Sequence, residues 1–105
     1  MDNLWHVVLI SFAPHTPYKI KLMILRRLQT LGSDCGGEDA GILLWIARLN
    51  LDQRKGVQLV EIAVFENNAA LQAFRCHPMH KKFTDMLREV ADWQVGDITH
   101  DFPVS

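Results

Sequence analysis

Residues 4–12, with the sequence "LWHVVLISF", decide the fold of this chain. The stretch is short, rich in β-branched and aromatic residues and ended by "APHTP", which predicts a β-strand. Its two faces are both apolar: His6, Val8, Ile10 and Phe12 alternate with Trp5, Val7 and Leu9. A sheet with one face in water alternates apolar and polar side chains instead. We therefore expect both faces of this strand to be covered.

A helix and a β-hairpin are predicted after this strand. Thr16 and Pro17 suit the N-cap and the first position of a helix, whose apolar residues recur on one face up to Gly32. The segment "GSDCGGEDAG" (32–41) is too rich in glycine for regular structure and predicts a loop. Residues 42–49 and 57–65 are apolar stretches joined by "NLDQRKG", so we expect them to pair as a hairpin.

Two short helices and a last strand complete the predicted order. Asn67 suits the N-cap of a helix over 68–75, and Pro78 suits the first position of another over 78–91. Residues 92–102 predict a strand, which gives the order β-α-β-β-α-α-β in one domain, 1–105. Three helices in so short a chain cover only one face of a sheet. A second copy is the simplest cover for the other, so the sequence predicts a homodimer through the open sheet face.

The composition limits the classes of function. The chain has 49% hydrophobic residues, 22% charged residues and a formal net charge of −1, as ordinary soluble domains do. It has no basic surface for nucleic acid, and its apolar N-terminal stretch is too short to span a membrane. Cys35 and Cys76 match neither a zinc nor a redox spacing, which predicts free thiols and a cytoplasmic location. We expect no nucleic acid, no membrane, no metal and no cofactor.

The segment "RCHPMH" (75–80) concentrates groups that are able to do chemistry. Pro78 at the first helical position makes His77 the N-cap and places His80 in the first turn, where the positive helix end favours a neutral imidazole. His80 suits a general base for this reason. Packing against the sheet is the favoured interpretation, a role in binding or proton transfer is the second, and a metal site is the least favoured because the spacing matches no zinc motif.

These residues together resemble the stress-responsive A/B barrel domain family. The resemblance rests on the histidine in "WHVVLISF", on Gly56 before the third strand, and on Phe65, Leu71 and Phe74 spaced ahead of "HP-x-H" (77–80). It covers nearly the whole chain. The family implies a ferredoxin-like α+β fold, with a four-stranded antiparallel sheet and helices on one face, that dimerises into an α+β barrel.

The resemblance also implies two functions. The family contains stress-induced plant proteins and a cyclase that closes a polyketide ring, in which a histidine matching His80 is the base and one matching His6 lines the pocket. The cyclase's assisting tyrosine falls at Phe74, and another of its pocket histidines falls at Leu59. We therefore expect a barrel that binds a hydrophobic or aromatic small molecule between sheet and helices. The alternatives are a cyclase-like or isomerase-like enzyme and an interaction module without a pocket.

Glu61 is the unexpected residue of the third predicted strand, because it interrupts the apolar stretch "QLVEIAVF". A carboxylate inside a core strand needs a partner or a proton. A turn that pairs position 50 with 56 would set Glu61 opposite Trp45, and a shift of one residue would bring Arg48 to it. An ion pair with Arg48 or with the partner subunit is favoured. The alternative hypothesis places Glu61 with His6 and His80, as an acid–base group or in a metal triad.

The predicted site therefore has a catalytic part and a ligand-binding part. The predicted catalytic residues are His80, His6 and Glu61. The predicted ligand-binding residues are His6, Val8, Ile10, Leu25, Leu28, Ala63, Phe74 and Phe83. The three tryptophans, Trp5, Trp45 and Trp93, are interpreted as core or interface residues rather than as parts of a haem-dependent site.

Overall fold

Four antiparallel strands and three α-helices form the fold in the computed structural model, which describes residues 2–104. The predicted order is confirmed, with one short 3₁₀-helix added. The elements are β1 (Asn3–Phe12), α1 (Tyr18–Asp34), the 3₁₀-helix (Gly37–Ala40), β2 (Ile42–Leu49), β3 (Leu59–Phe65), α2 (Asn68–Arg75), α3 (Pro78–Arg88) and β4 (Ala91–His100). The strands lie in the order β2-β3-β1-β4, which is the ferredoxin-like arrangement expected for the family.

The helices cover one face of the sheet and form the core with it. Ile10, Leu59 and Phe65 of that face are at most 1% exposed, and they pack with buried side chains of all three helices. The helical contribution comes from Ile24, Leu28, Leu31, Leu71, Phe74, Phe83 and Leu87. The prediction that the helices lie on one face is therefore confirmed.

The other face of the sheet carries apolar side chains that no helix covers. Ile62 lies at its centre, paired with Val7 of β1 and Ile46 of β2. Ile46 is 41% exposed and Ile98 of β4 is 65% exposed. The sheet thus has the two apolar faces that β1 predicts, and the helices cover only one of them.

The beginning and end of α1 differ from the prediction. Thr16 is not the N-cap, because its hydroxyl donates to the Ala13 carbonyl oxygen at 2.7 Å and stabilises the preceding turn. Pro17 takes the N-cap position without a side-chain hydrogen bond. Gly32 does not end the helix, which continues to Asp34. A Cβ atom at Gly32 would lie 2.7 Å from the Trp45 ring, so the glycine makes room for the indole.

The predicted register of the hairpin was wrong by two residues. Asn50 pairs with Gln58 rather than with position 56, since its amide donates to the Gln58 carbonyl oxygen at 2.9 Å. Strand β3 accordingly begins at Leu59, two residues later than predicted. Glu61 therefore faces Ala47, and Trp45 faces Ala63.

The remaining boundaries agree closely with the predictions. Asn67 caps α2 by accepting a hydrogen bond from the Ala70 amide at 2.9 Å. His77 caps α3, where its Nδ1 accepts from the Met79 amide at 3.1 Å. Helix α3 ends at Arg88, three residues before its predicted end, and β4 starts directly afterwards at Ala91.

Candidate functional site

A cavity of about 300 Å³ lies between the covered face of the sheet and the helices. Strands β1, β3 and β4 form its floor, and α1, α2 and α3 form its walls. Most of its lining is apolar, and a minority of polar side chains completes it. The lining residues are His6, Val8, Ile10, Leu28, Leu31, Glu61, Phe74, Arg75, His80, Phe83, Thr84, Leu87, Arg88, Trp93 and Val95.

His6 is held on the floor of the cavity by Asp97. The two residues face each other across β1 and β4, and the His6 Nδ1 lies 2.6 Å from Asp97 Oδ1. The side chain of His6 is 6% exposed. Because the carboxylate accepts a hydrogen bond, the proton of a neutral His6 belongs on Nδ1, which leaves Nε2 as an acceptor. Asp97 thus fixes the orientation of the ring, as the third member of a catalytic triad does.

His80 enters the cavity from the first turn of α3. Pro78 and the His77 cap fix the start of that helix, and the His80 ring packs on Phe74 with 4.5 Å between ring centroids. Burial lowers the pKa of His80, while a hydrogen bond with the backbone of Arg75 acts in the opposite direction. The imidazole is therefore neutral near pH 7 and able to accept a proton.

Glu61 lies on the cavity floor with only 2% of its surface exposed. Its Oε2 is buried and has no hydrogen-bond partner among residues 2–104. Burial, together with the nearby negative charge of Asp97, raises the pKa of Glu61 to about 8. The expected ion pair with Arg48 does not form, because Arg48 pairs with Val60 and so lies on the opposite face of the sheet. Trp45 is not the partner of Glu61 either, because the Trp45 indole donates to the Leu28 carbonyl oxygen at 2.8 Å.

The cavity therefore combines an oriented histidine, a neutral histidine and a buried carboxyl group. Such a set is able to accept a proton at one point and donate a hydrogen bond at another. Within residues 2–104, no group of three or more His, Cys, Asp or Glu side chains is arranged to hold a metal ion. The Nδ1 of His6 is in addition already bonded to Asp97.

Most residues of the predicted site lie together at this cavity. The three predicted catalytic residues line it, as do five of the predicted ligand-binding residues besides His6: Val8, Ile10, Leu28, Phe74 and Phe83. Two predicted binding residues lie elsewhere. Leu25 lines a separate hollow of about 160 Å³ beside Phe12, and Ala63 is fully buried in the core.

Asp97, which orients His6, was not among the predicted site residues. The signal was present in β4, where Trp93, Val95 and Asp97 alternate on one face and a lone carboxylate ends an apolar series. Arg75 and Arg88 at the cavity rim were missed as well. The Arg75 Nη2 lies 3.5 Å from Asp97 Oδ2, and the Arg88 Nη1 lies 3.0 Å from Asp85 Oδ1.

The tryptophans have separate surroundings. Trp93 lines the cavity, Trp45 packs on α1, and the Trp5 indole on the open sheet face donates to the His100 carbonyl oxygen at 3.2 Å. No helix within residues 2–104 has the length and apolar character that crossing a membrane requires.

Several solved structures share this fold at low sequence identity. A dimeric ferredoxin-like protein of unknown function from Thermobifida fusca has a TM-score of 0.80 at 12% identity, covering 94% of this chain and 92% of its own. The hydroxynitrile lyase from Passiflora edulis has a TM-score of 0.80 at 14% identity, covering 99% and 98%. SnoaB, a cofactor-independent oxygenase from Streptomyces nogalater, has a TM-score of 0.70 at 17% identity, covering 98% and 99%.

Sequence comparison identifies the family. No curated protein matches this chain in sequence. The family described as the stress responsive A/B barrel domain matches residues 4–100, which is nearly the entire chain. The chain therefore belongs to the stress responsive A/B barrel domain family.

Proposed function

We propose that this protein is a homodimer that binds a hydrophobic or aromatic small molecule in the cavity between its sheet and its helices. The cavity itself is the observation that carries the proposal. Its volume of about 300 Å³ lies at the lower end of the range of small-molecule sites. Apolar walls with a few convergent polar groups are the usual composition of such sites.

The open sheet face supports the dimer. Val7, Ile46 and Ile62 form a contiguous apolar surface in the middle of the sheet, with Ile98 at its edge. Monomeric proteins rarely leave a surface of this kind uncovered. The structural relative from Thermobifida fusca is described as dimeric. A second copy, related by a two-fold axis, is the occupant that we propose for this face.

Ligand binding is tested by blocking the cavity. Thr84 lines it from α3 and is half-buried, so Thr84→Trp would place an indole in the space of a ligand. We expect the wild type to bind 4-fluoroacetophenone, a small aromatic ketone, and Thr84→Trp to weaken this binding at least about tenfold. The measurement is a ¹⁹F NMR titration of the probe.

The control for this variant is Thr30→Trp. Thr30 is exposed on α1 and lies outside the cavity lining, so the same substitution there leaves binding unchanged. Binding that is absent from the wild type, or that is equal in the wild type and Thr84→Trp, contradicts the proposed site.

A second candidate function is acid–base catalysis with His80 as the general base. The specific observation in its favour is that His80 lies in the same cavity as the His6–Asp97 pair, where burial lowers the pKa of His80. Two relatives of the same fold are a lyase and a cofactor-independent oxygenase. The reaction class that we propose is proton abstraction next to a carbonyl group. His80 takes the proton, and the electron pair of the C–H bond moves toward the carbonyl oxygen.

Proton transfer is measured by deuterium exchange at the methyl group of 4-fluoroacetophenone in D₂O. We expect the wild type to accelerate exchange and His80→Gln to reduce the acceleration by about 10²–10⁴-fold, the usual contribution of a general base. His77→Gln is the matched control, since His77 caps α3 outside the cavity lining. Equal exchange rates in the wild type and His80→Gln would contradict the role of His80 as a general base and leave ligand binding as the proposed function.

The proposal includes a cytoplasmic location. It is supported by Cys35 and Cys76, which are both free thiols. Free thiols persist in reducing compartments.

A further inference from the structure

Glu61 has surroundings that a charged carboxylate does not tolerate. Strand β3 lies between β1 and β2, so Glu61 is paired with Val8 on one side and Ala47 on the other. Only 2% of the surface of Glu61 is exposed, and its Oε2 has no hydrogen-bond partner among residues 2–104. A buried, unpartnered carboxylate costs several kcal/mol, and such a group takes up a proton instead.

The charged groups near Glu61 do not remove this cost. Asp97 lies close enough for its negative charge to raise the pKa of Glu61, adding to the effect of burial. The rim arginines contact aspartates, with Arg75 directed to Asp97 and Arg88 to Asp85. His6 directs its Nδ1 to Asp97 as well. The surroundings of Glu61 therefore favour its protonated form. Within residues 2–104, no group accepts a hydrogen bond from Oε2.

We propose that Glu61 serves the cavity as a neutral carboxyl group, which donates a hydrogen bond to an uncharged acceptor oxygen of the ligand, a carbonyl oxygen above all. Glu61 thus determines specificity, and the inference rests on the proposed ligand-binding function. Rotation about the last side-chain bond exchanges the two carboxyl oxygens, so the O–H group is able to face the cavity.

The same geometry determines which ligands are rejected. A hydrocarbon of equal shape leaves the Glu61 carboxyl without a partner, and a site built to hydrogen-bond its ligand discriminates strongly against such an analogue. A ligand carboxylate at this point would face the negative charge of Asp97 where water is scarce. The ligand class that fits is an apolar, preferably aromatic, molecule with a ketone, aldehyde or similar carbonyl group.

The test compares two probes that differ in one oxygen atom. 4-Fluoroacetophenone carries a carbonyl group, and 1-ethyl-4-fluorobenzene keeps the ring and the two-carbon side chain with that oxygen replaced by two hydrogens. We expect the wild type to bind the ketone at least about tenfold more tightly in ¹⁹F NMR titrations, because only the ketone satisfies Glu61. The infrared carbonyl band of the bound ketone should move to lower frequency.

Two substitutions of Glu61 separate hydrogen bonding from shape. Glu61→Leu removes the donor at similar volume, so the ketone preference should fall to near one. Glu61→Gln keeps an N–H donor and should keep part of the preference. Glu66→Leu is the matched control, because Glu66 follows the same strand and is exposed. If Glu61→Leu does not fold, the wild-type spectrum decides: a carboxylic-acid band absent from Glu61→Gln must shift when the ketone binds.

Failure of the inference is distinguishable from failure of the proposed function. Equal binding of both probes by the wild type, or a ketone preference that survives Glu61→Leu, overturns the role of Glu61 and leaves the cavity as a binding site. If neither probe binds the wild type, the proposed ligand-binding function fails and the inference fails with it.

Discussion

Replacing Ile62 with aspartate should dissociate the proposed dimer. Ile62 lies at the centre of the open sheet face, between Val7 and Ile46, so the carboxylate would be buried at the middle of the dimer contact without a partner. An uncompensated buried charge costs about 3–5 kcal/mol, and each subunit would contribute one. We therefore expect the dissociation constant to rise by at least about 100- to 1,000-fold.

Sedimentation equilibrium over a range of protein concentrations measures this change. The wild type should sediment at twice the chain mass of 12.0 kDa, and Ile62→Asp at the chain mass itself. Leu51→Asp is the control, because Leu51 is 100% exposed in the loop between β2 and β3 and receives the same substitution. Circular dichroism reports whether the monomeric variant remains folded. A wild type that is monomeric at micromolar concentration, or an Ile62→Asp variant that remains dimeric, contradicts the proposed interface.

The fold was largely predictable because its signals are local. The apolar residues on both faces of β1 predicted a sheet that is covered on both faces, and the small number of helices predicted that they cover only one of them. Asn67 and Pro78 determined where α2 and α3 begin. The spacing of His80 from Pro78 fixed its place in the first turn of α3.

The pairing of strands was harder to predict because it depends on loops and on residues far apart in the chain. The segment between β2 and β3 offers several possible turns, and an error of two residues placed Glu61 opposite Trp45 instead of Ala47. The contact of His6 with Asp97 joins residues 91 positions apart. Leu25 was predicted to bind the ligand, but its direction on α1 takes it to a neighbouring hollow.

Glu61 should make the protein less stable as the pH rises toward 8. In the folded state the pKa of Glu61 is raised from 4.5 to about 8, so between these values the folded chain holds a proton that the unfolded chain has lost. The contribution of Glu61 is fully present below pH 4.5 and is lost as the pH rises to about 8. The free energy of unfolding should therefore fall by roughly 1.4 kcal/mol per pH unit within this window.

Other titrating groups limit the part of the window that is informative. The lowered pKa of His80 has the opposite effect. Below pH 6.5 the unfolded chain binds a proton at His80 more readily than the folded chain does, so the free energy of unfolding falls as the pH decreases. Burial raises the pKa of Cys35 from 9.0 to about 11, which affects stability only above pH 9.0. Between about pH 6.5 and pH 8, Glu61 is thus the group whose shifted pKa determines the slope.

Urea unfolding at fixed protein concentration, repeated across this interval, measures the slope. Glu61→Gln should be nearly flat, since the amide does not titrate, and it should differ from the wild type by about 2 kcal/mol between the two ends of the interval. Glu66→Gln, at an exposed position, should follow the wild type. Parallel curves for the wild type and Glu61→Gln would mean that the carboxyl group has the same proton affinity in the folded and unfolded chains. The buried side chain would then have found a cationic partner, and a neutral donor in the cavity would lose its physical basis.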